Sequence, residues 1–355
     1  MRRVVMVLMV AALAIGSVFA NGSQDSSGSG ATKLSGAPAP FDGSRQKQLL
    51  IAHISYLQEG EFMQMYRAGV ETQAAKLGMK VVLLGRHTDA QSEADAVDQA
   101  INMKVDGIVI QHGLTETMMA PAQRALDAGI PVVAFDVDLK NAKIPQIAQN
   151  DPQHGTNAIN AIIKDFGGKV DMGYVRVAGI LPLDKRDGTI QAALASNPGV
   201  HVLAQTGTLE SPISVKNADQ AKAALRAQAS IGAYLAPYDE FAKGIVMALD
   251  ELGQTKKVKV YSIDISTQDI ELMSKPGSPW VMTSAVNPSE MGASSVRALA
   301  QLMAGESVPH DILVQPMVFT SGMLVKAGVK NMQDLMTAFP EFATSDAARS
   351  SWMPK

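Results

Sequence analysis

Asp136 ends the stretch GIPVVAFD, in which a glycine, a proline and a run of strand formers lead to a carboxylate with no cation beside it. A run this apolar belongs in the middle of a sheet, so Asp136 stands where the strand opens onto whatever lies beyond it. A carboxylate there can accept hydroxyl hydrogens through charge-assisted bonds, roughly twice as strong as neutral ones. VYSID (260–264) ends in the same way at Asp264. Other positions just past apolar runs are Tyr56, Glu61, Phe62, Arg86, His87, His112, Arg186, Tyr238 and Asn287. An arginine offers a rigid planar fork of donors. Tyr56, Phe62 or Tyr238 could cover the C–H face of a saturated ring, with a polar tip to spare in the tyrosines.

Each of these residues also has a plainer role open to it. Asp136 and Asp264 could cap helices. Arg186 could pair with Asp184 or Asp187, and Phe62 lies at a core-facing helical spacing. Tyr238 precedes an acidic pair that reads as helix-start charge. Glu61, Arg86, His87 and His112 suit ordinary surface or internally satisfied positions, and the 20 methionines suit core filling.

Short β-branched runs alternate with helical stretches and set these positions. Strands are expected at 48–55, 80–84, 106–111, 131–137 and 145–149, with helices at 62–77, 93–101 and 121–129 between them. In the helix over 62–77, Phe62, Tyr66, Val70, Ala74 and Leu77 share one face. Pro121 is expected to head its helix and Gly129 to end it. The pattern then restarts, with helices at 151–166, 184–196, 217–229, 239–253 and 289–305. The matching strands are 172–180, 201–206, 231–237, 257–264, 279–286 and an extended run at 311–319. Units of about 25–30 residues of this kind indicate an α/β fold with parallel sheets covered by helices on both faces. Two such halves with no long linker form two doubly wound lobes, and ligands of open α/β sheets bind beyond the carboxyl ends of the strands.

The first residues, MRRVVMVLMVAALAIGSVFANG, have a positive start, an apolar run and a small-x-small site, so residues 1–20 read as a cleaved signal peptide. Residues 21–47, rich in Gly, Ser and Pro, read as a flexible linker. Once Arg2 and Arg3 go with the signal peptide, the formal charge falls from −3 to −5, which favours neither nucleic acid nor an anionic membrane as partner. With no cysteine there are no disulfides, thiol nucleophiles or thiolate metal sites. Phosphate-cradling glycine loops, H-E-x-x-H and G-x-S-x-G are absent from the sequence, and the six histidines are scattered. No cofactor and no metal are expected.

The stretch from Ala125 to Asp136, ALDAGIPVVAFD, resembles the helix, turn and strand that lead to a sugar-binding aspartate in the exported sugar-binding proteins of ABC transporters, ribose- and galactose-binding type. ISYLQEGEFMQMYRAGVETQAAKLG (54–78), DGIVIQ, APYDEFAKGIVMALDELG (236–253), VYSID and VNPSEMG (286–292) are similar to successive segments of that family. The resemblance covers roughly residues 48–325. It implies a type I periplasmic binding protein with three crossovers, near Gln149–Pro152, Ser284–Val286 and Pro309–Asp311. The first lobe would be 48–150 plus 286–309, the second 151–285 plus 310–330, and 331–355 a tail.

The resemblance further implies an exported receptor that captures a sugar or polyol and delivers it to a membrane permease. It would bind as a monomer, without catalysis, and a chemoreceptor could read the closed form as well. Asp136 and Asp264 would accept sugar hydroxyls, Arg186 would take the place of a sugar-contacting arginine, and Tyr56 and Phe62 would supply ring faces. Tyr238 and Asn287 stand at further contact positions. Departures from the ribose binders are Val137 after the first aspartate, Tyr238 in place of asparagine, and Val286-Asn287 near an expected glutamine. Two rival readings remain open: a secreted carbohydrate enzyme with Asp136 and Asp264 as acid and base, and the same receptor binding a nucleoside or small signalling molecule.

Overall fold

Two successive runs of strand and helix make up the computed structural model, which describes residues 33–56, 58, 60–84 and 89–354. The expected signal peptide, residues 21–32 of the expected linker, Arg86 and His87 lie outside the described residues. The first run is β1 (Leu50–Ser55), α1 (Glu61–Lys76), β2 (Lys80–Leu83), α2 (Ala90–Asn102), β3 (Gly107–Gln111), α3 (Thr115–Asp127), β4 (Val132–Phe135) and β5 (Gln146–Gln149). The second begins with α4 (Asp151–Asp165), β6 (Val170–Val175), α5 (Leu181–Ser196), β7 (Val200–Thr206) and α6 (Ile213–Ala227). It goes on through β8 (Ala233–Ala236), α7 (Asp239–Glu251), β9 (Lys259–Ile263), α8 (Thr267–Ser274) and β10 (Trp280–Ala285). The remaining elements are α9 (Pro288–Met303), β11 (Asp311–Val314), β12 (Met317–Thr320), α10 (Ser321–Ala327), α11 (Met332–Ala338) and α12 (Pro340–Ala343).

The described strands form two six-stranded sheets with matching orders, β2-β1-β3-β4-β5-β11 and β7-β6-β8-β9-β10-β12. All pairings are parallel except the edge strand β12, which runs antiparallel to β10. Burial on both faces explains the unbroken apolar runs, since every residue of β3, β4 and β8 is buried. On α1, Phe62, Tyr66, Val70 and Ala74 all face the core, as their spacing requires.

Helices α1 and α9 cross at two glycines. A Cβ on Gly69 would stand 1.9 Å from the Ser289 carbonyl oxygen, and one on Gly292 would stand 2.1 Å from that of Tyr66. Neither glycine carries unusual backbone angles; both are small so that two helix backbones can touch.

Five sequence expectations change. Pro121 does not head α3, which begins six residues earlier at Thr115 and places Pro121 inside. The stretch TETMMA is rich in helix formers, and Met118 joins Ala122 and Ala125 on the buried side, so packing outweighs the one backbone bond that proline forgoes. The run 311–319 is two strands in different sheets. Asp311–Val314 pairs with Gln146–Gln149 in the first sheet, whereas Met317–Thr320 pairs with β10 in the second. The third crossover therefore falls at Gln315-Pro316, where proline interrupts pairing, and not at Pro309–Asp311.

The segment 33–47, expected as flexible linker, packs on the first lobe: Phe41 is buried in its core, and Arg45 pairs with Asp106. The expected tail is divided as well. Met332, Leu335 and Phe342 join the second lobe's core, but Met353 joins the first lobe's, and Trp352 stacks on Phe41 with ring centroids 5.0 Å apart. A single aromatic in a stretch of small and polar residues is an inconspicuous sign, and each of these two has its partner at the other end of the chain.

Because α1 carries Phe62 and Met63 toward the space between the lobes, its seat on α9 should matter beyond stability. Gly292→Ala is expected to lower the unfolding free energy by about 1–3 kcal/mol, the usual range for an overpacked interior. A urea midpoint equal to wild type would contradict the close crossing.

Candidate functional site

Strand ends create the site by one repeated device. His112, Asp136 and Asp264 directly follow β3, β4 and β9, and each extends its ladder by one bond. Their N–H groups donate to the carbonyls of Phe135, Ile147 and Ser284. Each then turns left-handed, with φ of 61°, 53° and 75° respectively. Asp and His are among the non-glycine residues that most readily adopt this conformation, at a cost of order 1–3 kcal/mol where the surroundings hold it. All three side chains are buried.

Arg186 lies at the centre. It extends from α5, is 2 % exposed, and divides its donors among three partners. Nε donates to Asp151 Oδ1 at 2.8 Å, while Nη1 donates to the Pro237 carbonyl at 2.7 Å and to Asp264 Oδ2 at 3.2 Å. Burial alone would lower its pKa, but the nearby charges of Asp264, Asp151 and Asp136 outweigh burial and raise it. The carboxyls respond in the opposite sense. Burial, aided by Asp151, holds Asp136 well above the ordinary range. Burial likewise raises Asp151, against the pull of Arg186. Asp264 is pushed up to about 7 by burial and by Asp239, despite Arg186.

Neutral groups complete the polar side. His112 falls to about 3, first through burial and then through the field of Arg186, so it is uncharged at neutral pH. Its Nε2 lies 3.9 Å from Asp136 Oδ2, an oxygen that also accepts from Gln149 Nε2 at 3.2 Å. Behind them, Gln111 Oε1 accepts from His53 Nε2 at 2.7 Å and Gln111 Nε2 donates to Met63 Sδ at 3.0 Å. Four buried atoms here have no hydrogen-bond partner among the described residues: Asp136 Oδ1, Asp264 Oδ1, Gln149 Oε1 and His112 Nδ1.

A narrow gap between the lobes brings these groups together. His112, Gln149, Arg186 and Asp264 line it, with Asp136 behind His112 and Gln149. The remaining wall is apolar: Phe62 and Met63 from the first lobe, Ile180, Pro182, Leu183, Leu209 and Tyr238 from the second. Phe62 serves the core too, since its ring runs nearly parallel to that of Phe135 at 6.4 Å.

Of the seven residues given ligand contacts by the resemblance, Phe62, Arg186, Tyr238 and Asp264 line this gap and Asp136 adjoins it. Tyr56 and Asn287 do not. Tyr56 packs, half-buried, against the apolar cluster of the second lobe, where burial and the charges of Glu93 and Asp89 raise its phenol. Asn287 caps α9: its Oδ1 accepts from Ser289 N, and its Nδ2 donates to the Ala343 carbonyl at 3.0 Å. An asparagine directly before proline at a helix start is a capping sign, and here that reading prevails. Gln149 and Asp151 were missed. Both flank the first crossover, where a strand end and a helix start coincide. Their neighbours in sequence explain their backbone, but only the fold puts them beside Arg186.

The protonation of Asp264 has a measurable sign. Between pH about 4 and about 7 the folded chain keeps a proton that the unfolded chain has lost, so this group's contribution to stability falls as pH rises through that window and levels off above it. Asp264→Asn removes this dependence. In urea melts at pH 4.5, 6 and 7.5 without ligand, the variant should gain on wild type as pH rises, and a constant difference would contradict the raised value.

A family model described as "Periplasmic binding protein domain" matches residues 51–307. Among solved structures, the chain is similar to the solute-binding protein of a 5-methylthioribose transporter from Thermotoga lettingae, in complex with 5-methylthioribose. The two are 34 % identical, the match covers 86 % of this chain and 97 % of that one, and the TM-score is 0.84. A sugar ABC transporter protein from Yersinia enterocolitica is 31 % identical, with 87 % and 94 % covered and a TM-score of 0.83. The ribose import binding protein of Bacillus subtilis is 25 % identical over 130 residues, 37 % of this chain and 43 % of that protein.

Proposed function

The chain belongs to the periplasmic binding protein domain family, and from that premise we propose that it is an exported receptor whose two lobes close over a five-carbon sugar bearing an apolar substituent. The observation that carries this reading is the set of four buried polar atoms beside one gap that lack partners among the described residues, three of them acceptors. A buried polar atom left unpaired costs about 1–3 kcal/mol, so hydroxyls that satisfy several at once would gain affinity from each. The apolar wall of Ile180, Pro182, Leu183 and Leu209 suits a group that brings no hydroxyl. A 5-methylthio group is of this kind, and the Thermotoga lettingae relative was solved with 5-methylthioribose. Charge and shape thus support one orientation: hydroxyls toward Asp136, Asp264, Gln149 and His112, thioether toward the leucines.

Arg186 would serve such a ligand in two ways. It holds Asp264 in place, and it keeps the surrounding acid charge partly compensated when hydroxyl hydrogens approach the carboxylates. Closing the lobes would change the surface offered to a membrane permease, so capture would be signalled by a shift in population and no bond need be made or broken. The described helices include none long and apolar enough to cross a membrane.

Isothermal titration with 5-methylthioribose tests this directly. Wild type should bind it about 10- to 100-fold more tightly than ribose, the discrimination that burying a small apolar group supplies. Asp136→Ala should lose roughly 10- to 100-fold in affinity, as expected for hydrogen bonds to a charged group. Without ligand it should melt no lower than wild type, because a carboxylate that is costly to bury has gone. Equal affinity for the two sugars would overturn the thioether reading, and unchanged affinity in Asp136→Ala would overturn the role of the aspartate.

A further inference from the structure

We propose that Glu61 is a clasp, a first-lobe carboxylate that bonds the start of a second-lobe helix and holds the lobes shut over the gap. The inference rests on the receptor reading only in requiring that the lobes close. Glu61 opens α1, and its Oε2 accepts the backbone N–H of Thr267, the first residue of α8, at 3.0 Å. A helix start leaves several N–H groups without partners inside the helix. In α8, the Ser266 hydroxyl accepts that of Asp269 from within the second lobe, whereas that of Thr267 goes to the other lobe. The bond joins a carboxylate to a helix N-terminus, the favourable pairing of charge and macrodipole.

Its surroundings are built as a seam. One turn along α1, Met65 packs against the second lobe's apolar cluster. Before Glu61, Gly60 takes a φ of +95°, and a Cβ there would stand 3.1 Å from the Tyr238 hydroxyl and 3.2 Å from Glu240 Oε1. The lobes therefore meet closely on both sides of the clasp. Thr267 is itself anchored, since its hydroxyl accepts the Met332 N–H at 3.3 Å, so α8 presents its N–H from a fixed position. The bond exists only when the lobes are together. Opening exchanges it for water on both sides, so whatever it contributes goes to the closed form alone and shifts the population.

An acidic residue in a helix's first turn also favours that helix, and this is the competing explanation of Glu61. The two differ in what moves. The chain has no cysteine, so Glu116→Cys and Lys216→Cys, at exposed positions near the starts of α3 and α6, can carry one spin label on each lobe. In this background without ligand, Glu61→Ala should shift the distance distribution toward wider separation. Glu61→Gln, which keeps an acceptor oxygen, should fall between Glu61→Ala and the parent. Stopped-flow release of 5-methylthioribose should be about tenfold faster in Glu61→Ala, with the ligand-free melting temperature unchanged. A lowered ligand-free melting temperature with distances unchanged would make Glu61 a helix-start residue only. Unchanged distances and unchanged release would overturn the clasp as well. If wild type fails to bind 5-methylthioribose, the ligand reading fails, and the label distances still decide the clasp.

Discussion

One buried guanidinium organises the space between the lobes. Arg186 bonds Asp151, the first residue beyond the first crossover, and Asp264, the end of β9, while its charge reaches Asp136 in the opposite lobe. A buried ion pair is seldom a net source of stability, because both charges must leave water. Its use here is geometric. It ties a crossover residue to a wall residue, so the second lobe's half of the gap keeps its shape. Three carboxyls around one cation also leave an excess of acceptors, which burial counters by raising all three pKa values. A surplus of acceptors suits a molecule that brings donors.

The left-handed strand ends impose the second constraint. A strand that ran straight on would carry its next side chain along the sheet. Reversing φ at His112, Asp136 and Asp264 after one last ladder bond turns the chain sharply while the backbone N–H remains satisfied. Both lobes use the device, consistent with their shared strand order. The same residues thus carry the polar chemistry and the local strain, a combination common at ligand clamps.

Beyond the gap, the chain binds its lobes together more often than three crossovers require. After α12 it returns to the first lobe, where Arg297 donates to the carbonyls of Ser345 and Ala347 and Trp352 meets Phe41. Asn287, at the second crossover, donates to Ala343 on the same path. Near the hinge, Asn287 is thus held by a neutral side chain to backbone bond, whereas the buried Arg297, which also pairs with Glu290, ties the returning chain to α9 with a charged one.

The alternation of apolar runs and 3.6-period helices was legible along the chain because each element carries its own pattern: β4 reads VVAF, and α1 places Phe62, Tyr66, Val70 and Ala74 on one face. Asp136 and Asp264 were legible for the same reason, since a carboxylate at the end of a buried strand has few other places to go. What the tertiary structure alone decided depends on residues distant in sequence. Gln149 lines the gap beside Asp136, and Asp151 supports Arg186 there, only because the fold brings these partners together, and the amide nitrogen of Asn287 is taken up by the distant Ala343 carbonyl. The placing of Asp311–Val314 in the first sheet, and the pairing of Phe41 with Trp352, were likewise settled by partners more than a hundred residues away. Periodicity is a local property and can be read locally; a contact between distant residues costs chain entropy that only the assembled core repays, so it is visible only once that core exists.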